Sequence, residues 1–405
     1  MSDIRTRLSV LIICFLIIFI ATLPAFSQFK GKDRKIADNI KFKNFQHEQH
    51  KSMLVPAKKT MGLFWKDPNK NFYFAQISKR GTIKGKVKKL DEVNGDFHVV
   101  WIGDSYIVAL VKYHEKTAEF LVYLSKYKES GVRVGGYTIP QIKFNTDPGG
   151  WWSTHRPCLT WNGKEPGLAY LQQNFNGENM QGVYFHRMNK NRQTLGQRQL
   201  VTTNNRKPAS MFMASAKKEF LAGLRDDWAS GGIFLQRFNK SGAKVGKLTK
   251  VGEGAAEQMD SNFLMASTGN GYAVVYSHFM KGLRILFLDS KLKMVKGPYG
   301  LNNDQLGWIS YNHMVVHKGV VWIVYKELAD VAVSRTVRSL SGSKAKVNSN
   351  LLVYKPLITK EFVDYEDFPF GLASFGKFVY FAFIRYEPDH EETEVGTVYI
   401  RKMKN

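Results

Sequence analysis

The chain predicts an all-β protein in which one small antiparallel sheet is written many times. Three observations carry this. The stretch GGIFLQRFNKSGAKVGKLTKV at residues 231–251 reads as strand, tight turn, strand. Closely similar text recurs along the chain at intervals of roughly fifty residues. No segment after residue 27 carries an apolar stripe of helical period.

The N-terminal residues stand apart from this pattern. Arg5 and Arg7 precede the apolar run LSVLIICFLIIFIATLP, and AFS places small residues ahead of Gln28. This is the layout of a secretory signal over residues 1–27, cleaved after Ser27. The alternative is an uncleaved membrane anchor, for which the apolar run is near the minimum length. Export places the protein in the periplasm or outside the cell, with no transmembrane segment left after signal removal. Beyond the signal only Cys158 remains, so no intrachain disulfide is available, and RPCLTWNG predicts a buried, inert thiol. The rest of the chain, 28–405, reads as a single domain.

The repeat aligns residue by residue. Ile233-Phe234-Leu235 corresponds to Phe72-Tyr73-Phe74, Val122-Tyr123-Leu124 and Val183-Tyr184-Phe185. Gly246 corresponds to Gly85, Gly135 and Gly196. Gly242 corresponds to Gly81 and Gly131, and Arg192 breaks that pattern in the third copy. A fifth copy begins at Leu283 with a one-residue slip, a weaker sixth at Asn350, and a seventh at Val398. A second hairpin, such as MFMASAKKEFLAGLR at 211–225, precedes each copy. One unit therefore holds four strands, a to d.

Four-stranded units in seven copies predict a seven-bladed β-propeller, because blades stacked in a ring cover each other's bare faces. The blades fall at approximately 50–92, 96–140, 155–202, 208–251, 260–301, 308–366 and 369–405. The last unit stops after strand c. Residues 36–45, containing the alternating NIKFKNF, supply the missing d strand beside Val398–Met403. The hairpin text resembles the repeats of exported bacterial propellers, in which an aromatic strand, an Asp/Asn–Gly turn and a Gly-containing strand follow one another. That resemblance implies architecture and no particular activity. The WD dipeptide of WD40 proteins and the Ser-x-Asp-x-Gly-x-x-Trp box of sialidases are both absent from the repeats.

This architecture sorts the loops. The a–b and c–d turns, rich in lysine, share a lower end, and the d–a and b–c loops share the upper end. Trp65, Trp101, Trp161 and Trp322 fall within strands as packing residues. Trp151, Trp152, Trp228 and Trp308 fall in upper loops, where aromatic planes stack on sugars or hold protein partners. His155, Arg156, Asn174, Arg225, Asp226, Asp227, Asp260 and Tyr311 accompany them. Together these twelve residues form the expected ligand site, on blades three to six. The segment KELADVAVSRTVRSLSGSKAKVNSN at 326–350 reads as a basic insertion between b and c of blade six, either a solvated loop or a lid bringing Arg335 and Arg338 over the site.

The formal charge is +25, or +24 without the signal, which favours anionic partners. The basic rim and lower end fit an acidic surface; lysines on outer strands also prevent edge-to-edge pairing. No nucleic-acid motif is present. HEQH at 47–50 lacks the spacing of a zinc helix, and DPNKN at 67–71 lacks the glycine and glutamate of a calcium loop. No metal or cofactor is expected. The function expected is recognition of a glycan or an extracellular or envelope protein. A glycoside hydrolase or lyase using upper-end aspartates, and a structural role in an envelope complex, are the alternatives.

Overall fold

The computed structural model describes residues 33–43, 52–67, 69–114, 119–138, 143–144, 157–172, 182–202, 208–216, 218–226, 232–253, 263–278, 282–300, 309–327, 332–338, 353–356, 367–386 and 393–404. The signal segment 1–27 and HEQH lie outside the described residues. Among these residues every element is a strand, and no helix is long and apolar enough to cross a membrane.

The strands form seven four-stranded antiparallel sheets. Strand β1 is Arg34–Lys43. Sheet one holds β2 (Ser52–Pro56), β3 (Met61–Lys66), β4 (Asn71–Ile77) and β5 (Lys88–Glu92). Sheet two holds β6 (Phe97–Trp101), β7 (Tyr106–His114), β8 (Glu119–Tyr127) and β9 (Lys143–Phe144). Sheet three holds β10 (Cys158–Trp161), β11 (Pro166–Gln172), β12 (Gly182–Met188) and β13 (Thr194–Leu200). Sheet four holds β14 (Pro208–Ala216), β15 (Glu219–Asp226), β16 (Gly232–Phe238) and β17 (Lys244–Glu253). Sheet five holds β18 (Phe263–Ser267), β19 (Gly271–His278), β20 (Gly282–Asp289) and β21 (Met294–Gly300). Sheet six holds β22 (Ile309–His317), β23 (Val320–Glu327), β24 (Ala332–Arg338) and β25 (Val353–Pro356). Sheet seven holds β26 (Asp367–Phe375), β27 (Phe378–Tyr386) and β28 (Thr393–Lys404), and its fourth strand is β1.

The predicted pairing of the N-terminal segment with the last copy is present. Arg34 lies opposite Ile400, Ala37 opposite Val398 and Ile40 opposite Gly396. The pairing runs to Lys43 opposite Thr393, nearer the start of β28 than the sequence indicated. The innermost strands of successive sheets pack side by side from β2 through β6, β10, β14, β18 and β22 to β26, and β26 packs in turn on β2. Near the inner strands, Phe212 of β14 meets His98 of β6 and Phe263 of β18 edge-on, with ring centroids 6.4 Å apart in each case.

The core lies between the sheets. Strand b shows why: alternate residues serve opposite seams. Tyr106, Val108 and Leu110 pack toward sheet one, while Ile107, Ala109 and Val111 pack toward sheet three. A strand buried on both faces needs a continuous apolar run, which explains text such as YIVALV. Trp65 and Trp322 are buried as expected, and Trp101 and Trp161 are half-buried at the strand ends. Cys158 is a buried free thiol.

The repeated turn is explained by its backbone. In sheet four, Asn239 N donates to Ala243 O and Gly242 N donates to Asn239 O, while Asn239 Oδ1 accepts from Ser241 N and Ala243 N. The fourth turn residue has positive φ: Gly81 (76°), Gly131 (77°), Gly242 (82°), and also Arg192 (69°) and Leu292 (68°). Arg192 accepts this strained conformation while its guanidinium spans the seam, where Nη1 donates to Leu124 O at 3.1 Å and Gly136 O at 2.7 Å. The apparent break in the third copy is thus an inter-sheet tie. The slip in copy five lies between Leu292 and Gly297, the two positive-φ residues of that hairpin.

One expectation is overturned. The basic text of blade six is no insertion between b and c. Ala332–Arg338 is strand β24 itself, with Arg335 opposite Ile323 and Arg338 opposite Val320. The alternating VSRTV pairs along β23 as a regular strand, so Arg335 and Arg338 belong to a sheet and not to a lid. The long connection therefore falls between c and d, after Arg338 and before Val353, and its residues lie outside those described.

Candidate ligand-binding site

The upper end of the seam between sheets four and five differs from its counterparts. Arg225, at the end of β15, is 6% exposed. It follows Leu221 and Gly223 on the face toward sheet five, where Leu221 joins the apolar cluster shared by the two sheets and a side chain at Gly223 would meet Phe263 and Met265. Across the seam, Tyr276 of β19 is buried and lies opposite Arg284 of β20 in register. Arg284 shares its face with Leu286 and Leu288, which belong to the same cluster. The sheets approach closely here: a Cβ at Gly252 of β17 would meet the Tyr276 ring at 3.2 Å.

Strand register shows what is unusual. Arg225 pairs with Ile233, Leu171 with Val183, Val111 with Val122 and Lys66 with Phe72, so these four occupy one place in the repeat. Arg284 occupies the place of Tyr73, Tyr123, Tyr184 and Phe234. Seam four–five therefore carries two arginines where seams two–three and three–four carry aliphatic and aromatic side chains. Arg225 is buried and Arg284 half-buried, so the pair puts strong hydrogen-bonding groups into an otherwise apolar layer, where each must be hydrogen-bonded or paired.

Other seams carry polar and aromatic contacts of their own. Between sheets one and two, the Lys112 ammonium lies 4.7 Å from the Tyr137 ring centroid and 5.6 Å from that of Tyr123, and both Lys112 and Tyr137 bond to Asp91. Between sheets two and three, Tyr170 stacks on Tyr184 at 5.6 Å and on His186 at 5.7 Å. Burial, aided by the nearby Arg198 charge, pushes the His186 imidazole down to about 4. Asp67, in the stretch that resembles a calcium loop, accepts instead from Asn71 N at 2.7 Å and Asn71 Nδ2 at 2.8 Å. No group of three metal-ligating side chains occurs among the described residues.

Of the sequence-predicted site, Arg225 is described in full. Asp226 ends β15 beside it, and Tyr311 lies in the first turn-ward part of β22; only their backbone is described. Trp151, Trp152, His155, Arg156, Asn174, Asp227, Trp228, Asp260 and Trp308 lie outside the described residues. Tyr276 and Arg284 were not picked out from sequence. The signal for Arg284 was in the alignment, as a cation in a column of aromatics.

The lower end has the opposite character. Its a–b turns expose Lys58, Lys164, Lys218, Lys318 and Lys377, and its c–d turns expose Lys79, Lys128, Lys190, Lys240 and Lys291.

With this geometry in view, comparison shows what the fold resembles. The BP39L lectin from Burkholderia pseudomallei superposes with a TM-score of 0.56 at 9% identity, covering 88% of this chain and 98% of the lectin. The polysaccharide lyase Uly1 superposes with a TM-score of 0.54 at 7% identity, covering 92% of this chain and 99% of the lyase. The architecture is that of a β-propeller. No protein-family model and no curated protein matches the sequence.

Proposed function

We propose that the chain is an exported seven-bladed propeller, closed by β1, that acts as a recognition module for a glycan at its upper end, on blades three to six. Closure is supported by the β1–β28 pairing and by the packing of β26 on β2. The observation that carries the functional reading is the pair Arg225 and Arg284, which face one seam at the upper end of sheets four and five, the end to which the sequence assigns the tryptophan-bearing loops. Guanidinium groups offer planar arrays of donors to hydroxyl and carboxylate oxygens, and indole rings offer stacking planes for sugar rings. The lectin and the lyase show that this fold is compatible with carbohydrate partners.

The test is glycan-array binding by the wild type, by the double variant Trp151→Ala/Trp152→Ala, and by Arg284→Tyr, which restores the residue type of the other copies. Loss of a specific glycan signal in both variants, with unchanged far-UV circular dichroism, is the expected result. Full retention of binding in both would overturn the site.

A further inference from the structure

We propose that the lower end of the sheet array docks on an anionic bilayer surface. This goes beyond ligand recognition at the opposite end and does not depend on it. Each of the seven sheets presents at least one exposed lysine at this end, through its a–b turn, its c–d turn or both.

Most of the acidic residues described there are engaged by turns or by neighbouring cations. Glu129 Oε1 accepts from Lys59 N at 2.7 Å, Thr60 N at 2.6 Å and Thr60 Oγ1 at 2.8 Å across the first seam. Glu165 pairs with Arg187 at 3.3 Å and Glu219 with Arg237 at 2.7 Å. Asp289 Oδ1 is taken by Lys291 N and Lys293 N within its own turn. Asp104 is the exposed acid at this end, and it lies 3.7 Å from Lys126. Carboxylates therefore tie the turns together while ammonium groups face outward. The groups this end presents to solvent are mainly ammonium groups.

The shape selects the partner. The cations are spread over turns of all seven sheets at one end instead of lining one groove. A broad array matches a plane of charge, whereas a single polymer chain would engage only a strip of it. A polybasic surface near an acidic leaflet gains affinity additively and loses it within a Debye length as salt rises.

The experiment measures partition of the full chain onto vesicles of phosphatidylcholine alone and of phosphatidylcholine mixed with phosphatidylglycerol. The apolar segment 8–24 contributes to both, so the difference isolates charge. Wild type is compared with Lys128→Gln/Lys190→Gln/Lys240→Gln/Lys291→Gln and with a charge-matched variant of outer-strand residues on β5 and β17, Lys88→Gln/Lys89→Gln/Lys247→Gln/Lys250→Gln. All eight lysines are exposed, so both variants should fold. The expected result is a salt-sensitive preference for anionic vesicles that falls about a hundredfold or more in the turn variant and far less in the outer-strand variant. Equal losses in the two variants would assign the effect to net charge and overturn the proposal. So would the absence of any anionic preference, or tighter binding to a soluble polyanion than to the vesicles.

Discussion

The seam between sheets one and two and the seam between sheets seven and one solve the same packing problem by different means. At the first seam the chain runs on from β5 to β6, and the interface is aromatic. Phe64 meets Phe74 and Tyr106 at 5.0 Å, Phe72 meets Phe97 at 4.7 Å, and Gly131 sits against the Phe74 ring. At the last seam the partners are about as far apart in sequence as the chain allows. Aliphatic packing of Ile36, Ile77, Val398 and Ile400 is supplemented there by directional bonds. Tyr380 Oη donates to Lys79 O at 2.6 Å across the seam, while within sheet seven Arg401 Nε donates to Asp33 Oδ1 at 2.6 Å and β1 adds a row of backbone pairs to β28. Where covalent connection sets no register, pairing and charge-assisted bonds set it instead. They must also offset the larger entropy of bringing distant segments together, which grows slowly with separation.

This contrast can be broken at its strongest point first. Ile36→Asp places a charge in the aliphatic cluster under β1 and should cost about 3–5 kcal/mol, read as a large drop in urea midpoint. A smaller effect than that of Gly131→Val would mean that the closing strand matters less than the first seam. Gly131→Val combines positive φ with a Cβ 2.4 Å from Phe74 and should cost about 3 kcal/mol. Gly85→Ala has similar φ but open space around it and should cost only about 1 kcal/mol, so the difference between the two glycines separates clash from backbone strain.

A third seam sharpens the comparison through pH. His186 is held neutral in the fold, down to about 4, whereas the unfolded chain protonates near the ordinary imidazole value. Between those values the unfolded state binds more protons, so stability falls as pH drops from about 6.5 toward 4, by ~2 kcal/mol after discounting for solvent screening. His186→Phe should flatten that part of the thermal-stability profile; an unchanged slope would remove His186 as its source. Two single ties complete the comparison. Glu129→Gln, which weakens three bonds at the first seam, should cost about 2 kcal/mol, and Tyr380→Phe at the last seam about 1 kcal/mol. Chemical-denaturation midpoints would rank them, and a reversed order would show that the closing seam relies on this tyrosine more than on strand pairing.

Much of this architecture was legible before any coordinates. Local turn chemistry repeats because each hairpin must bend the same way, so Asn239, Asp289 and the positive-φ glycines announce the unit. Alternation and apolar runs announce the strands, and the unmatched NIKFKNF announces its partnership with the last copy. Sheet six was misread because its c strand, AVSRTVR, carries polar residues that composition assigns to a loop. Pairing along β23 is a long-range fact that local pattern does not contain.

The candidate site divides in the same way. Residue type marked Arg225 and the upper loops, since charged and aromatic residues in loops need a reason. It did not mark Arg284, whose significance lies in facing the same seam as Arg225 from a different sheet. Nor did charge counts reveal that most lower-end carboxylates are engaged by turns or cations while the turn lysines reach solvent. The sequence by itself determined the unit, its number of copies and the strand periodicity, because those follow from neighbours along the chain. Only the tertiary structure decided which side chains share a seam and which charges reach solvent, because sheet stacking brings together residues whose separation in sequence carries no local signal.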